Sequence, residues 1–298
     1  MRLARFRHDD DTDDHPGDDD TARLGLVLDE EIVDVSAAVQ GADLVALLAA
    51  GTVGLEAVAR MADGAERRPL VDVTLLAPVP QPPKFLAIGL NYADHLAEMG
   101  REAPAFPVFF NKQRTCVVGP GDAIHVPRVS DQVDYEGELG VVIGRRARHV
   151  PVEHALDVVA GYTVVNDVTV RDWQAKAPTM TIGKSFDTHG PVGPWIVTPD
   201  EVPDPQTLRL HTEVNGEVGQ DTSTAEMIFD VATQIATLST SFTLEPGDLV
   251  ATGTPAGVGV ARRPPRFLRP GDTVRIEIEG VGVLENPVIT EPAGTAAW

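Results

Sequence analysis

Turn signals divide most of this 298-residue chain into short segments, and they constrain its fold more than any other feature. The chain has 27 glycines and 24 prolines, and the turn sequences GPGD at 119–122, EPGD at 245–248 and RPGD at 269–272 separate segments rich in β-branched residues. Because Pro and Gly favour turns whereas β-branched residues favour strands, the chain is predicted to be mainly β with some α. The predicted helices are residues 42–50, 55–61, 91–99 and 227–238.

A proline-rich segment, PVPQPP at 78–83, interrupts both helical and strand patterns. We expect a domain boundary there, because proline ends helices and removes a hydrogen-bond donor from strands. The expected domains are a small α/β N-terminal domain at 1–78 and a catalytic domain at 83–298. Residues 8–20, HDDDTDDHPGDDD, predict an exposed acidic loop. Metal capture by this loop is the less favoured alternative, since it lacks the spaced glycine and terminal Glu of a calcium loop.

Charge and composition exclude several classes of partner. The 24 Lys and Arg residues against 45 Asp and Glu residues give a net charge of −21, which argues against binding to nucleic acid or to anionic membranes. The most apolar stretch, 44–55, is too short to cross a bilayer, and the acidic start predicts no secretory segment. Cys116 is the single cysteine, so no intrachain disulfide can form and a cytoplasmic location is expected.

Three carboxylates at strand positions predict a metal site. Glu136 and Glu138 lie two residues apart before the apolar sequence LGVVIG, so on a strand they share one face. Their repulsion is unfavourable unless a cation or a proton lies between them. Asp167 follows a second apolar strand, GYTVV, and three carboxylates suit Mg²⁺ or Mn²⁺. The alternatives are an exposed polar strand edge for the two glutamates and a turn cap for Asp167.

His95 and Glu98 predict a general base. They are three residues apart in a predicted helix and therefore share one face. A carboxylate beside an imidazole fixes its tautomer and raises its basicity, as the activation of water requires. Gly89 and Gly100 flank the helix and would let it move as a lid. The alternative is a weak surface pair.

Two further segments are candidates for anion binding. Lys184, in the sequence GKSFD, is a candidate to hold an anionic substrate or a developing oxyanion, the alternative being a solvated surface lysine. The sequence GTPAGVG at 253–259 follows a strand, and its amides are candidates to bind a carboxylate, the alternative being a tight turn. Neither segment is a Walker or dinucleotide-binding motif.

Nine ordered sequence blocks between about residues 83 and 290 resemble the fumarylacetoacetate hydrolase superfamily, in its small acylpyruvase-like branch of 2-hydroxyhepta-2,4-diene-1,7-dioate isomerase-like proteins. The blocks are GLNYADHLAE, PVFFNK, DYEGELGVVIG, GYTVVNDVTVRDWQ, GKSFDTHGPVGPW, VNGE, FDVATQIATLS, LEPGDLVATGTPAGVG and GDTVRIEIEGVG. The resemblance implies a mixed β-sandwich roll and a homodimer. It implies Mg²⁺ or Mn²⁺ bound by Glu136, Glu138 and Asp167. It further implies catalytic roles for His95, Glu98 and Lys184, and substrate-binding roles for Arg171, Gln174, Thr254 and Lys112.

The resemblance also implies a reaction class. The expected activity is hydrolysis of a carbon–carbon bond in an acylpyruvate-type 2,4-dioxo acid, with His95 activating water and Lys184 stabilising the oxyanion. The alternatives are an oxaloacetate-type decarboxylase, a 2-oxo acid isomerase or hydratase, and a binding protein without activity. This chain departs from the family pattern at two places. Some relatives carry arginine where this chain has Leu90, and Gln113-Arg114 replaces the proline-containing sequence that usually follows Lys112. The sequence does not identify the acyl group of the substrate. The candidate residues for the walls of its pocket are Phe106, Phe109, Trp173, Met180 and Trp195.

Overall fold

A computed structural model describes residues 1–9, 21–38 and 43–294. Most of the predicted acidic loop at 8–20 lies outside the described residues. The N-terminal elements are β1 (Arg2–His8), β2 (Arg23–Leu28), β3 (Glu31–Asp34), α1 (Leu44–Ala49), α2 (Thr52–Ala62), β4 (Arg67–Pro69) and β5 (Val73–Leu76).

The remaining elements follow the proline-rich segment. The strands are β6 (Phe85–Gly89), β7 (Val108–Lys112), β8 (Val117–Val118), β9 (Ile124–Val126), β10 (Val133–Asp134), β11 (Gly137–Ile143), β12 (Val159–Asn166), β13 (Thr169–Val170), β14 (Gly190–Val197), β15 (Arg209–Val214), β16 (Glu217–Ser223), β17 (Leu249–Ala251), β18 (Thr273–Ile278) and β19 (Gly282–Thr290). The helices are α3 (Ala93–Met99), α4 (Arg171–Gln174) and α5 (Val231–Ser241).

Two mixed sheets form the molecule. The larger sheet has the strand order β4-β3-β2-β1-β14-β12-β11-β17-β6-β7, with β5 paired to β1 and β8 paired to β14. The smaller sheet has the order β16-β15-β18-β19-β9, and β10 pairs with β13 separately. Strands of the smaller sheet pack against β11, β12 and β14 of the larger one. The prediction of a mainly β fold with a mixed sandwich is therefore confirmed.

The N-terminal strands extend the larger sheet. Strand β1 pairs with β14 in antiparallel fashion, with Arg2 opposite Val197, and β2 and β3 continue outward from β1. Helices α1 and α2 pack against this part of the sheet through apolar residues such as Leu47 and Val58. The domain boundary at 78–83 stays a prediction, because the sheet itself runs across both regions.

Strand β11 separates two apolar layers and positions the site. Leu139, Val141 and Ile143 belong to the core shared with the smaller sheet and α5, whereas Val142 belongs to the core beneath α1 and α2. Successive residues of a strand point to opposite faces, so a strand covered on both faces has a continuous apolar sequence. This explains why GELGVVI is buried along its whole length.

The turn signals have a common structural basis. Gly121, Gly247 and Gly271 follow prolines and have positive φ angles of 77°, 83° and 96°, as the third position of a type II turn requires. In each turn the next residue is an Asp whose carboxylate accepts a hydrogen bond from the amide three residues earlier. Each of these turns, which connect strands, therefore provides a hydrogen-bond acceptor for one of its own backbone amides.

Helix α5 begins later than the sequence pattern predicts. The expected start was Met227, but the helix starts at Val231 because the Asp230 side chain accepts a hydrogen bond from the Thr233 amide at 2.7 Å and caps it. Met227 instead forms an isolated bridge with Tyr92. Within the described ranges, no helix combines the length and the apolarity that a membrane crossing requires.

Candidate active site

Antiparallel pairing of β11 with β12 brings the three predicted carboxylates together. Gly137, at the start of β11, is opposite Asn166, at the end of β12, so Glu136 and Glu138 lie beside Asp167. The Asp167 amide donates to the Glu136 carbonyl at 2.8 Å. All three carboxylates are buried, and one oxygen from each lies within 4.8 Å of the others.

Lys184 and Arg171, which line the site, form ion pairs with this triad. Lys184 Nζ lies 2.6 Å from Glu136 Oε2 and 2.7 Å from Asp167 Oδ2. Arg171 Nη1 lies 2.7 Å from Glu136 Oε1, and Arg171 Nε donates to Asp134 Oδ2 at 2.8 Å. Arg171 Nη1 also donates to Gln174 Oε1 at 3.2 Å. Arg171 and Lys184 therefore neutralise one side of the acidic cluster.

Lys112 supports the triad from inside the protein. Its ammonium group donates to Asp167 Oδ1 at 2.6 Å, to the His189 carbonyl at 2.9 Å and to the Lys184 carbonyl. An ammonium group has three hydrogens, and each has a protein acceptor here. Because Lys112 is buried and does not line the cavity described below, its contacts are those of a positioning residue.

The two glutamates have opposite electrostatic environments. Burial opposes the ionisation of Glu136, but the charges of Lys184 and Arg171 outweigh it and lower the pKa to about 2. Burial raises the pKa of Glu138 well above its usual value, and the charges of Asp167 and Glu136 raise it further. Glu138 accepts a hydrogen bond from the Gly253 amide at 2.7 Å, and the charge of Lys184 partly offsets the rise in its pKa, but Glu138 forms no ion pair with any described residue. A further cation beside Glu138 would favour its ionised form.

This donor set fits a divalent metal ion. Three carboxylates offer hard oxygen ligands and leave other coordination positions to water or substrate oxygens, as Mg²⁺ and Mn²⁺ prefer. A bound ion would also supply the missing counter-charge of Glu138. The buried triad can thus bind a divalent metal, as predicted.

The predicted dyad lies on helix α3. His95 Nδ1 is 3.1 Å from Glu98 Oε2, and Glu98 Oε1 accepts a hydrogen bond from the Gly257 amide at 3.0 Å. Asn91, just before the helix, donates to the carbonyls of Phe229 and Thr252. The helix that carries His95 is therefore attached at its start by Asn91 and along its length by Glu98.

The amides of the 253–259 loop donate hydrogen bonds to carboxylates of the protein itself, and the expected contact with a substrate carboxylate stays a prediction. Gly253 and Gly257 donate to Glu138 and Glu98, and Gly259 donates to Asp134 Oδ1 at 2.8 Å. The Thr254 hydroxyl donates to the Gly137 carbonyl and accepts from Gln220 Nε2. The loop therefore orients the acidic residues of the site.

A cavity of about 590 Å³ opens beside the triad. The predicted site residues that line it are His95, Glu136, Glu138, Asp167, Arg171, Gln174, Lys184 and Thr254. Glu98 lies behind His95, and Lys112 lies behind Asp167. Of the candidate pocket walls, Met180 lines the cavity and Phe106, Phe109, Trp173 and Trp195 do not.

Sequence reasoning missed Asp134, Asn91 and Gln220. Asp134 is fully buried and accepts hydrogen bonds from Gly259, Val260 and Arg171. Its place in the sequence DYEGE was the one available signal. The partners of Asn91 and Gln220 lie far along the chain, so no local pattern indicates their roles.

The two-sheet fold and the buried triad define a mainly β protein with an oxygen-ligand metal site. A profile of the family described as fumarylacetoacetate (FAA) hydrolase, C-terminal, matches residues 84–289. The chain belongs to this family, and the predicted resemblance is confirmed.

Individual relatives have several activities. The chain is 46% identical over 220 residues to a mitochondrial oxaloacetate tautomerase of Xenopus laevis, covering 73% of this chain and 69% of that protein. It is 34% identical to the maleylpyruvate hydrolase of Sphingobium sp. SYK-6, solved with manganese(II) and pyruvate, at a TM-score of 0.81 and covering 98% and 100% of the two chains. A 2-hydroxyhepta-2,4-diene-1,7-dioate isomerase of Mycobacterium marinum is 36% identical, at a TM-score of 0.75, covering 98% and 99%. The relatives thus include hydrolases, isomerases and tautomerases.

Proposed function

We propose that the protein hydrolyses a carbon–carbon bond in an acylpyruvate-type 2,4-dioxo acid, in a reaction that depends on a divalent metal and yields pyruvate and a carboxylic acid. The observation that carries this proposal is the position of His95. Its imidazole ring contacts the Glu98 carboxylate and lies in the same cavity as the triad and Lys184. A water activator, a metal-binding triad and an ammonium group are the components that such a hydrolysis needs. Similarity to a maleylpyruvate hydrolase supports this class of reaction.

We assign the metal ligands as Glu136, Glu138 and Asp167. A bound Mg²⁺ or Mn²⁺ ion supplies Lewis-acid polarisation of substrate oxygens. Lys184 and Arg171 hold Glu136 ionised, and Lys112 orients Asp167. The substrate-binding roles of Gln174 and Thr254 rest on their positions in the cavity wall.

His95 removes a proton from water in this proposal. Glu98 accepts the hydrogen bond of Nδ1, which fixes the tautomer and leaves Nε2 free to take a proton. The carboxylate then stabilises the imidazolium that forms. Because the Gly257 amide holds Glu98, the imidazole ring is oriented before the substrate binds.

The hydroxide oxygen forms a bond to the C4 carbonyl carbon, and the electron pair of that carbonyl moves to its oxygen. Lys184 donates to this oxygen with the ammonium hydrogen that Glu136 and Asp167 leave unused. The carbonyl re-forms and the C3–C4 bond breaks, so its electron pair passes to C3 and is shared with the C2 carbonyl as an enolate. C3 takes the proton from His95, which releases pyruvate and the carboxylic acid.

The second candidate is an oxaloacetate-type reaction, either decarboxylation or isomerisation of a 2-oxo acid. The observation that favours it is the 46% identity to an oxaloacetate tautomerase. Such a reaction uses the same triad and needs no attacking water. His95 would then move a proton between carbon and oxygen rather than activate water.

Two substrates separate these candidates. The protein loaded with Mn²⁺ or Mg²⁺ is incubated with acetylpyruvate or with oxaloacetate, while diketone absorbance, the two tautomers of oxaloacetate and pyruvate are followed. We expect stoichiometric pyruvate and acetate from acetylpyruvate, lost in Glu138→Ala and kept in the surface control Glu277→Gln. Turnover of oxaloacetate alone would support the second candidate and contradict the hydrolase. No turnover of either substrate by metal-loaded protein would contradict both.

We also propose that the protein is a cytoplasmic homodimer. The family resemblance supports the dimer, and the single buried cysteine supports a reducing compartment. Sedimentation at micromolar concentration should give twice the chain mass, and a monomer would contradict the dimer. A tagged chain expressed in its source cells should fractionate with cytoplasmic markers, whereas enrichment in an organelle would contradict that location.

A further inference from the structure

Arg101 is a cation in the cavity wall that the protein itself does not pair. The lysine and arginine residues that line the cavity are Arg101, Arg171 and Lys184. The last two are engaged by site carboxylates, as described above. The Arg101 side chain is exposed and has no ion pair or hydrogen bond within the described ranges. An anion entering the cavity therefore meets one guanidinium group whose hydrogen bonds are all available.

The backbone of Arg101 is held in place by the end of helix α3. Gly100 ends the helix in the left-handed conformation, with φ of 62° and its amide 3.2 Å from the Ala97 carbonyl. The Arg101 amide donates to the Leu96 carbonyl at 2.9 Å. This pattern is a Schellman-type helix end, which fixes the residue after the glycine. Arg101 therefore follows the same short helix that presents His95 to the cavity.

Apolar side chains form part of the cavity wall. Leu90, Met99, Val108 and Met180 line the same cavity and offer no charge. A guanidinium group binds carboxylates through two parallel hydrogen bonds. Arg101 thus gives the cavity a positive charge that can bind an anion and that is not paired with the triad.

We propose that Arg101 determines specificity by binding a second carboxylate of the substrate, so that the site selects 2-oxo acids with an additional carboxylate at the end remote from the 2-oxo acid group. This inference rests on the proposed function, because it requires the 2-oxo acid end to lie at the triad and Lys184. Arg101 takes no part in bond breaking. Its contribution is to the affinity and orientation of the remote end of the substrate.

A matched pair of ligands tests this role without turnover. 2-Oxopentanoate and 2-oxoglutarate both have five carbons and differ by a terminal methyl group against a carboxylate, and neither is a 2,4-dioxo acid. Calorimetry with Mn²⁺-loaded protein compares wild type, Arg101→Gln, Arg101→Lys and the outer-surface control Arg275→Gln. We expect Arg101→Gln to weaken 2-oxoglutarate binding by about tenfold or more while changing 2-oxopentanoate binding less than about twofold. Arg101→Lys should retain part of the preference.

The other outcomes distinguish failure of the proposed role of Arg101 from failure of the proposed function. Equal weakening of both ligands, or unchanged 2-oxoglutarate binding in Arg101→Gln, overturns the role of Arg101 while leaving the proposed function intact. Binding of neither ligand to metal-loaded wild type overturns the placement of 2-oxo acids at the triad, and with it this inference. The melting temperature should be the same in Arg101→Gln and wild type, because the side chain makes no protein contact that the substitution removes.

Discussion

Lys112 is a buried cation that contacts Asp167 from inside the protein. Its ammonium group is buried, and all of its hydrogens are used by Asp167 and two backbone carbonyls. A buried ion pair adds little stability relative to an apolar pair, but removal of one partner leaves a charge without compensation. The role of Lys112 is therefore tested by stability as well as by activity.

We expect Lys112→Met to lower the free energy of unfolding by about 3–5 kcal/mol, because Asp167 loses a buried counter-charge and two carbonyls lose their donor. Mn²⁺ affinity should fall as well, since Asp167 is no longer oriented. Urea denaturation and calorimetry measure the two effects. The control is Lys84→Met, whose lysine is 28% exposed and pairs with Asp248, so solvent replaces part of the lost interaction. A loss in Lys112→Met no larger than in the control would contradict this account of Lys112.

At the scale of elements, the end of helix α3 links the fold to the site. Gly100 has a positive φ, and a Cβ atom there would meet open space, so substitution costs backbone energy rather than causing a clash. Gly100→Ala should reduce stability by about 1 kcal/mol and speed hydrogen exchange of the Arg101 amide. Gly100→Asn should cost less, because asparagine tolerates the left-handed conformation. Equal effects of the two substitutions would show that backbone conformation does not control this helix end.

Local patterns predicted the elements better than their connections. Strands β6 and β18 coincide with short apolar and β-branched segments that lie between clear turn signals. The apolar periodicity of Met227 and Ile228 predicts an earlier start for helix α5 than the structure shows, because only the Asp230 cap marks the start. Where a local signal exists, the sequence therefore predicts the element to within a few residues.

The sequence predicts those parts of the site whose residues lie close together in the chain or follow the end of a strand. The spacing of Glu136 and Glu138 and the position of Asp167 indicated the triad. The hydrogen bonds from the 253–259 loop to Asp134 and Glu138 join residues more than 100 positions apart. The periodicity of apolar residues does not indicate such contacts, because the contacts depend on which strands become neighbours in the sheet.

At the scale of the whole molecule, His189 links stability to pH. Burial is the main cause that lowers its pKa to about 3, and its Nδ1 has no partner in the described part of the chain. Nε2 faces the His125 carbonyl at 2.8 Å, so Nε2 carries the proton in the neutral ring. Protonation of Nδ1 would bury a charge without an acceptor.

The unfolded chain binds a proton at His189 near pH 6.5, whereas the folded chain does so only near pH 3. Between these values the unfolded state holds more protons, so stability falls as pH falls, by at most about 1.4 kcal/mol per pH unit from this residue. His189→Gln keeps a donor for the His125 carbonyl and removes the titration. Urea denaturation from pH 7 to pH 4.5 should show a shallower decline for the variant. Parallel declines would contradict this assignment.

The most direct test of the central claim is anomalous diffraction at the manganese edge from crystals grown with MnCl₂. We predict one strong peak in contact with carboxylate oxygens of Glu136, Glu138 and Asp167, lost in crystals of Glu138→Ala. A peak elsewhere, or none in well-ordered wild-type crystals, would contradict the metal site on which the proposed hydrolysis depends.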